Sequence, residues 1–385
     1  MLSASIIFSV WLSGIGWLIH LIAGIIYFCS NGFHHVLDYI ALIAPTAVIF
    51  GVGYIMYLNK MLNANENPYP PPPKVIEAIS RFRSEGLNKY PDADATPLVK
   101  AIAERAGLSE DNVFVGNGSD DVLALCFRAF FNSGKPILYP DITYSFYPVW
   151  CSMLKIPYEL IPVDDDFNIR AEDYKRENGG VVICNPNAPT SIGRGLDFIR
   201  EILDANPDSV VICDEAYVDF GGVSALPLLK EYPNLAVVQT FSKSRSMAGM
   251  RIGCCFGGKE IIAALRAAKD SYNSYPVDSV AIAAGCASIA DEDYFKETVS
   301  KIIATRDRLT KALRELGFDV KDSSTNFLFA AHPRYKAADI SAFLKTKDIY
   351  VRFFNKPRID NRLRITIGTD SEIDALISAL EEYIK

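Results

Sequence analysis

"QTFSKSRSMAGMRIG", residues 239–253, decides how the rest of the chain is read. An apolar run, VVQTF, stops at a cluster of small polar residues. Lys243 stands there between two serines, eight residues before Arg251. A lysine at the end of an apolar strand is close to burial, and an unpaired buried charge is costly. Its partners must come from elsewhere in the chain.

The sequence has 385 residues, enough for two or more domains, and half of them are hydrophobic, enough for a substantial core. The net charge is −7 and there is no basic patch or arginine-rich tract, which argues against nucleic acid as the main partner. Eight cysteines form no CxxC pair and no zinc-like spacing, and several lie in strand-like runs. They read as buried free thiols in a reducing compartment. Of four histidines, only His332 lies beyond residue 35, so neither a histidine triad nor a metal site is expected in the body of the chain. Proton chemistry there falls to Lys, Tyr and Asp.

Residues 1–59 differ from the rest. They contain no Lys or Arg and a single acid, Asp38. The apolar stretches 6–29 and 39–57 are each long enough to cross a bilayer as a helix, which takes about 20 residues. The short polar linker SNGFHHVLD would turn between them. The first cation, Lys60, follows the second stretch and puts the remaining chain on the cytoplasmic side. The favoured reading is a hydrophobic helical hairpin of two transmembrane helices, giving a membrane contact. A buried hairpin stands beside it, as does upstream sequence ahead of a start at Met56 or Met61.

From residue 66 the proline-rich NENPYPPPPKV reads as an extended entry segment, with a plain linker as the alternative, before an amphipathic stretch at 74–83. Next come the helix-like TPLVKAIAERAG, the strand NVFVG, the turn NGSDD and the helix DVLALCFRAFF. The runs PILY, YELIPV, GVVICN, SVVICD and NLAVVQTF are short, apolar and bounded by turns, as in a sheet buried on both faces. Their alternation with helices predicts a three-layer α/β/α domain with a mostly parallel sheet over residues 91–275. Helical segments at 277–290 and 292–316, strands NFLFAA, IYVRFF and RLRITIG, and a last helix at 371–384 predict a smaller α+β domain over 276–385. Residues 60–90 form an arm that joins it.

Several strand ends carry polar groups. VGNGSDD (115–121) runs from a turn straight into a helix, whose first N–H groups can hold a phosphate or simply be capped by Ser119 or Asp120. PDITYSFYP offers Tyr144 as a stacking ring or as core packing. CNPNAPTS is a rigid turn that can aim an amide. VVICDEAYVDF ends a very apolar strand in Asp214, with Tyr217 three residues on; a ligand partner and a structural ion pair are equally open. Lys243 comes 29 residues after Asp214, room for one crossover. In a parallel sheet successive strand ends share one edge, where ligands collect. Ser119, Asn187, Asp214 and Lys243 are therefore expected at one crevice, with Ser242 and Arg251 as phosphate donors. Pyridoxal phosphate needs this set: an amine for its aldehyde, a carboxylate for its ring nitrogen, an aromatic face and a phosphate cup.

From about residue 62 the chain resembles the fold-type I, class II pyridoxal-phosphate-dependent aminotransferases, most narrowly those acting on histidinol phosphate. LNANENPYPPPPKV, YPDADATPLVKAIA, VGNGSDDVL, DEAYVDF, TFSKSRSMAGMRIG and RLRITIGT carry the likeness, in the family's order. The resemblance implies that Lys243 is the Schiff-base lysine and shuttles the proton. It implies that Asp214 pairs with the ring nitrogen, Tyr217 bonds the phenolic oxygen and Tyr144 stacks on the ring. Gly118, Ser119, Ser242 and Arg251 would hold the phosphate, with Asp120 nearby. Tyr90 would reach the partner's cofactor across a homodimer interface. Arg364, assisted by Arg352, would bind a substrate anion, since one guanidinium fork serves carboxylate and phosphate alike. The family often carries Asn where Ala188 stands and Gly where Ser191 stands; Asn187 or Asn185 would supply the amide instead.

The implied activity is transfer of an amino group from L-histidinol phosphate to 2-oxoglutarate, giving glutamate, in histidine biosynthesis. The alternatives on the same scaffold are an aromatic or broad aminotransferase and a phospho-amino-acid decarboxylase. A membrane-tethered sensor without catalysis is the rival of another class.

Overall fold

The computed structural model describes residues 59–384 of the chain. The apolar stretches 6–29 and 39–57, and the transmembrane reading attached to them, lie outside the described residues. Among the described residues no helix is long and apolar enough to cross a membrane.

Among the described residues twelve strands form two sheets. The larger contains β2 (Val113–Gly116), β3 (Ile137–Pro140), β4 (Tyr158–Ile161), β5 (Gly180–Cys184), β6 (Val211–Asp214), β7 (Leu235–Thr240) and β8 (Gly253–Gly257). Its order is β2-β8-β7-β6-β5-β3-β4. Strands β3 to β7 are parallel, and β8 runs antiparallel to both β7 and β2. The continuous apolar runs that suggested burial on both faces divide cleanly. Val182, Ile212, Ala236 and Val238 enter one core, and their neighbours Val181, Val211, Leu235 and Val237 enter the other. This alternation follows from the two-residue period of a strand.

Helices cover each face. On one lie α3 (Ser119–Phe130), α4 (Tyr147–Leu154) and α6 (Lys259–Asp270). On the other lie α1 (Pro73–Ser80), α2 (Thr96–Ala106), α5 (Leu196–Ala205) and α7 (Ser279–Ile289). Helix α1 starts at Pro73, where the missing N–H would have had no partner anyway. It stops at Ser80, short of the amphipathic stretch read from the sequence, and a single 3₁₀ turn at Ser84–Gly86 follows.

The smaller sheet has the order β1-β11-β12-β10-β9, built from β1 (Lys60–Leu62), β9 (Asp319–Val320), β10 (Phe327–Ala331), β11 (Ile349–Phe353) and β12 (Arg362–Thr366). It packs against α8 (Glu292–Glu315), α9 (Ala337–Thr346) and α10 (Asp370–Ile384). Strands β1, β8 and β9 have no period of their own in the sequence. Three-residue β1 exists because Lys60 to Leu62 pair with Ile349 to Val351. Strand β8, GCCFG, is stabilised by neighbours on both sides.

A close backbone approach joins the larger sheet to one of its helices. Strand β8 starts where α3 starts, and a Cβ on Gly253 would lie 2.3 Å from the Ser119 backbone nitrogen and 2.4 Å from the Gly118 carbonyl carbon. Only a residue without a side chain lets strand and helix start come this near. Gly253→Ala is expected to cost about 1–3 kcal/mol, the usual range for overpacking. Denaturant melts of the variant check this; an unchanged midpoint would mean that the helix start moves freely.

Candidate active site

A cavity of about 180 Å3 opens at the carboxyl edge of the larger sheet. The strand ends supply its walls. Asp214 is the last residue of β6, and Lys243 lies three residues beyond β7. Both line the cavity, together with Ser119, Asp120, Tyr144, Tyr217, Ser242 and Arg251. Side chains far apart in sequence meet here because parallel strands end on one edge.

Asp214 is 3% exposed. Its carboxylate accepts the Tyr147 hydroxyl at 2.7 Å and the Ala216 N–H at 3.3 Å. Burial pushes its pKa up to about 6, against the pull of the Tyr147 and Ala216 hydrogen bonds. Glu215, next along the chain, points away from the cavity region into its own set of donors: Ser224 Oγ, Gln239 Nε2 and the Ala225 N–H. Burial pushes it up to about 7, and it is satisfied by protein groups alone. Asp214 therefore has the unmet demand: a buried carboxylate facing a cavity, with no cation paired to it among the described residues.

Another part of the lining favours an anion. Gly118, with φ of 85°, precedes α3, and no side chain caps that helix. Its first N–H groups remain available, and helix N-termini attract negative charge. Arg251 lies directly over them: a Cβ on Gly118 would sit 2.5 Å from its Nη2. The guanidinium also stands 3.7 Å from Asp120, and Nη1 donates to the Ala248 carbonyl. Asp120 in turn accepts the Tyr144 hydroxyl at 2.8 Å, which fixes that ring beside the cavity.

Lys243 Nζ lies 3.5 Å from the Ala64 carbonyl and 5.9 Å from the centre of the Tyr217 ring. Its loop is held on several sides. Asn67 Nδ2 donates to the Lys243 carbonyl at 3.0 Å and the Ser244 carbonyl at 3.3 Å, and Ser244 Oγ donates to Asp219. Buried Arg245 donates to the Ser288 carbonyl and Glu292. The proline-rich entry segment thus lies against the lysine, more than a plain linker would require.

On the smaller sheet Arg352 and Arg364 are direct cross-strand partners on β11 and β12. Like charges in that position repel. Both flank the Phe354 ring, at 5.6 and 5.7 Å. Arg364 donates Nη2 to the Asn63 carbonyl at 2.8 Å, but its Nε is buried with no partner. Burial pulls its pKa down, and Arg352 adds to the effect. A shared anion would relieve both conditions.

One expectation from sequence needs correction. Asn187 does not offer its amide to the cavity. Its Oδ1 accepts Thr143 Oγ1, and its Nδ2 donates to the Ile142 carbonyl and Thr190 Oγ1. Asn185 is likewise engaged with the Arg194 backbone. Both amides hold the turn itself, and Ala188 is what faces the cavity. Tyr90 is absent from the cavity wall; it is 82% exposed, and its ring stacks on Tyr275 at 4.7 Å. Sequence reading missed Tyr147, three residues past Tyr144 in the same aromatic cluster. Only its burial inside the first turn of α4 reveals it as the partner of Asp214.

Cation-seeking and anion-seeking walls around one lysine define an α/β enzyme that binds its ligand at the strand-end crevice. The chain belongs to the aminotransferase class I and II family, whose sequence model matches residues 60–380. It is similar to the histidinol-phosphate aminotransferase of Lactococcus lactis subsp. cremoris (strain MG1363), 54% identical over 324 residues, covering 84% of this chain and 91% of that one. The corresponding Acinetobacter baumannii (strain SDF) enzyme is 51% identical over 326 residues, covering 84% and 90%. Among solved structures, the fold is shared with histidinol-phosphate aminotransferase from Sinorhizobium meliloti in complex with pyridoxal-5'-phosphate. The TM-score is 0.75 at 24% identity, covering 84% of this chain and 90% of that one.

The elevated pKa of Asp214 has a sign that can be tested. The folded chain keeps this proton up to about pH 6, whereas an unfolded Asp loses it near 3.9. Stability therefore falls as pH rises between those values, by at most roughly 3 kcal/mol at this site. Ligand-free Asp214→Asn is expected to melt above the parent at pH 8 and level with it at pH 4. Tyr147→Phe removes a bond that lowers the Asp214 value, and should melt below the parent at pH 8.

Proposed function

We propose that this chain transfers the amino group of L-histidinol phosphate to 2-oxoglutarate, using pyridoxal 5'-phosphate, in histidine biosynthesis. The observation that carries the reading is the one cavity that Lys243 shares with the uncompensated carboxylate of Asp214 and the uncapped start of α3 under Arg251. Identity above half to a histidinol-phosphate aminotransferase over most of both chains supports the choice of substrate.

The residues fit the cofactor. A buried carboxylate with a raised pKa and no cation beside it is suited to a ring nitrogen that takes up a proton. The helix start, Ser119, Ser242 and Arg251 suit a phosphate. Lys243 Nζ would hold the aldehyde, Tyr217 the phenolic oxygen, and Tyr144 the ring face. When bound, the cofactor supplies an electron-withdrawing ring that stabilises negative charge at the substrate carbon.

The chain's own groups do the rest. Lys243 Nζ removes and returns the proton at the substrate carbon bearing nitrogen, as a general base positioned by its clamped loop. Asp214 keeps a proton on the group it faces, because a cation there relieves the cost of its own buried charge. Arg364, with Arg352, binds the phosphate of one substrate and a carboxylate of the other. Its buried Nε lacks a partner, which supports that role.

Two further features belong to this reading. Tyr90, exposed and outside the wall of its own cavity, would reach the cofactor phosphate of a second copy in a homodimer. Residues 91–275 would act as the cofactor-binding part and 276–385, joined by 60–90, as the part that carries the substrate arginines. Seven cysteines in the described residues are all free, and six are buried, which supports a reducing, cytoplasmic setting. Any membrane contact would be made by residues 1–59.

Purified protein is expected to give its highest kcat/KM with histidinol phosphate when that substrate is compared with phenylalanine and threonine phosphate. Near-zero turnover of histidinol phosphate would overturn the substrate assignment. Lys243→Ala is expected to lose the visible absorbance of the loaded protein and to lower turnover by about 10²–10⁴-fold or more. Borohydride treatment and peptide mapping should label Lys243, and a label on another lysine would contradict its role.

A further inference from the structure

The phenolic-oxygen amide looked for beside Ala188 is absent there, yet a buried amide does touch the same functional group from another direction. Asn65 is 1% exposed, and its Nδ2 donates to the Tyr217 hydroxyl at 2.9 Å. Its own orientation is fixed by Thr366. The Asn65 N–H donates to Thr366 Oγ1 at 3.0 Å, and that hydroxyl gives its hydrogen back to Asn65 Oδ1, also at 3.0 Å. With Oδ1 used in this way, Nδ2 is turned onto Tyr217. The Asn65 carbonyl accepts Asn326 Nδ2 at 3.1 Å, so every polar atom of the residue has a partner. The backbone is left-handed here, with φ of 55°, a conformation Asn tolerates better than most residues.

The consequence lies in the direction of the hydrogen bond. A hydroxyl that accepts from an amide has its own hydrogen left to donate. Tyr217 lines the cavity and gives that hydrogen to no group of the described chain. It is therefore held as a donor into the cavity. Thr366 lies two residues from Arg364 on β12, so both side chains leave the same face of the strand. The Asn63 carbonyl accepts from Arg364 while Asn65 engages Thr366. One short strap thus links the hydroxyl at the cofactor end to the arginine at the substrate end.

We propose that Asn65 is a positioning residue that sets Tyr217 as a hydrogen-bond donor toward the phenolic oxygen of the bound cofactor, in place of the amide lost at Ala188. The inference rests on the pyridoxal-phosphate reading above. A donor facing an oxygen favours its deprotonated form. Losing the donor therefore raises the pH midpoint of the loaded protein's visible absorbance.

The test is a visible-absorbance pH titration of the loaded protein in four forms: parent, Asn65→Asp, Tyr217→Phe and the double variant. Asn65→Asp keeps the shape and the left-handed backbone but presents only acceptors, so the Tyr217 hydrogen turns away from the cavity onto the new carboxylate. The expected result is an upward shift of about one pH unit in Tyr217→Phe and a similar shift in Asn65→Asp. With Phe at 217, the shift caused by Asn65→Asp should shrink by at least half, the remainder being the new charge. An unchanged midpoint in Asn65→Asp, or an equal shift in both backgrounds, overturns the proposal. If Tyr217→Phe alone leaves the midpoint unmoved, Tyr217 is not the donor and the proposal falls with it. A parent protein without a pH-dependent visible band would instead refute the cofactor reading itself. Should Asn65→Asp fold poorly, Asn65→Gly keeps the positive φ without adding charge. It is expected to give a smaller upward shift that vanishes with Phe at 217; no shift, or one that persists, overturns the proposal.

Discussion

The carboxylate of Asp214 is the constraint around which the site is organised. It ends β6, in the middle of the larger sheet, with apolar strands on either side. Burying it there is unfavourable, and the rise of its pKa to about 6 expresses that cost. Tyr147 and the Ala216 N–H lower the cost but do not remove it. A cation in the cavity would do so. The protein thus holds, before any ligand arrives, a strong preference for a positively charged group at one defined point. Glu215 shows the alternative outcome one residue later: three donors from the protein satisfy it, and it has no need of a ligand.

The rest of the site depends on how many elements converge on that point. The anion-seeking end comes from the start of α3 and from Arg251, brought together by the bare backbone of Gly253. Lys243 sits on a loop with little regular structure, and its placement comes from outside the loop. Asn67 holds its carbonyls, Ser244 is tied to Asp219, and Arg245 is anchored to the Ser288 carbonyl and Glu292. Residues 63–67 have contacts with Arg364, Lys243 and Tyr217, and so join the smaller sheet to the cavity of the larger one. That strap is irregular and has no periodicity, which is why its role does not show in the sequence. Its function lies in side-chain amides and backbone carbonyls aimed at residues some 150 to 300 positions away.

Much of this is legible in the sequence, for physical reasons that can be named. Strands buried on both faces require unbroken apolar runs, so β5, β6 and β7 stand out. A charged residue that ends such a run stands out equally, and this marks Asp214 and Lys243. Tyr217 and Arg251 follow from their spacing to those two and from the family likeness. Asn187 is misplaced by sequence reading because a sequence shows that an amide is present at a turn, not which hydrogen bonds it makes; the turn uses both ends of that side chain. Tyr147 is passed over because, in a cluster of aromatics, nothing in the order of residues says which hydroxyl points inward.

Local pattern was enough to specify the layered α/β architecture and to single out the lysine and the carboxylate as candidates, because burial and strand-end position leave a record along the chain; the family came from the likeness of whole motifs to known relatives. Which polar groups meet was settled by the folded arrangement alone. The pairing of Tyr147 with Asp214, the clamp on the lysine loop, the opposed arginines of β11 and β12, and the turn of Asn65 onto Tyr217 all join residues with no local relationship. A hydrogen bond depends on distance and direction in space, and neither is written in the spacing of residues along a chain.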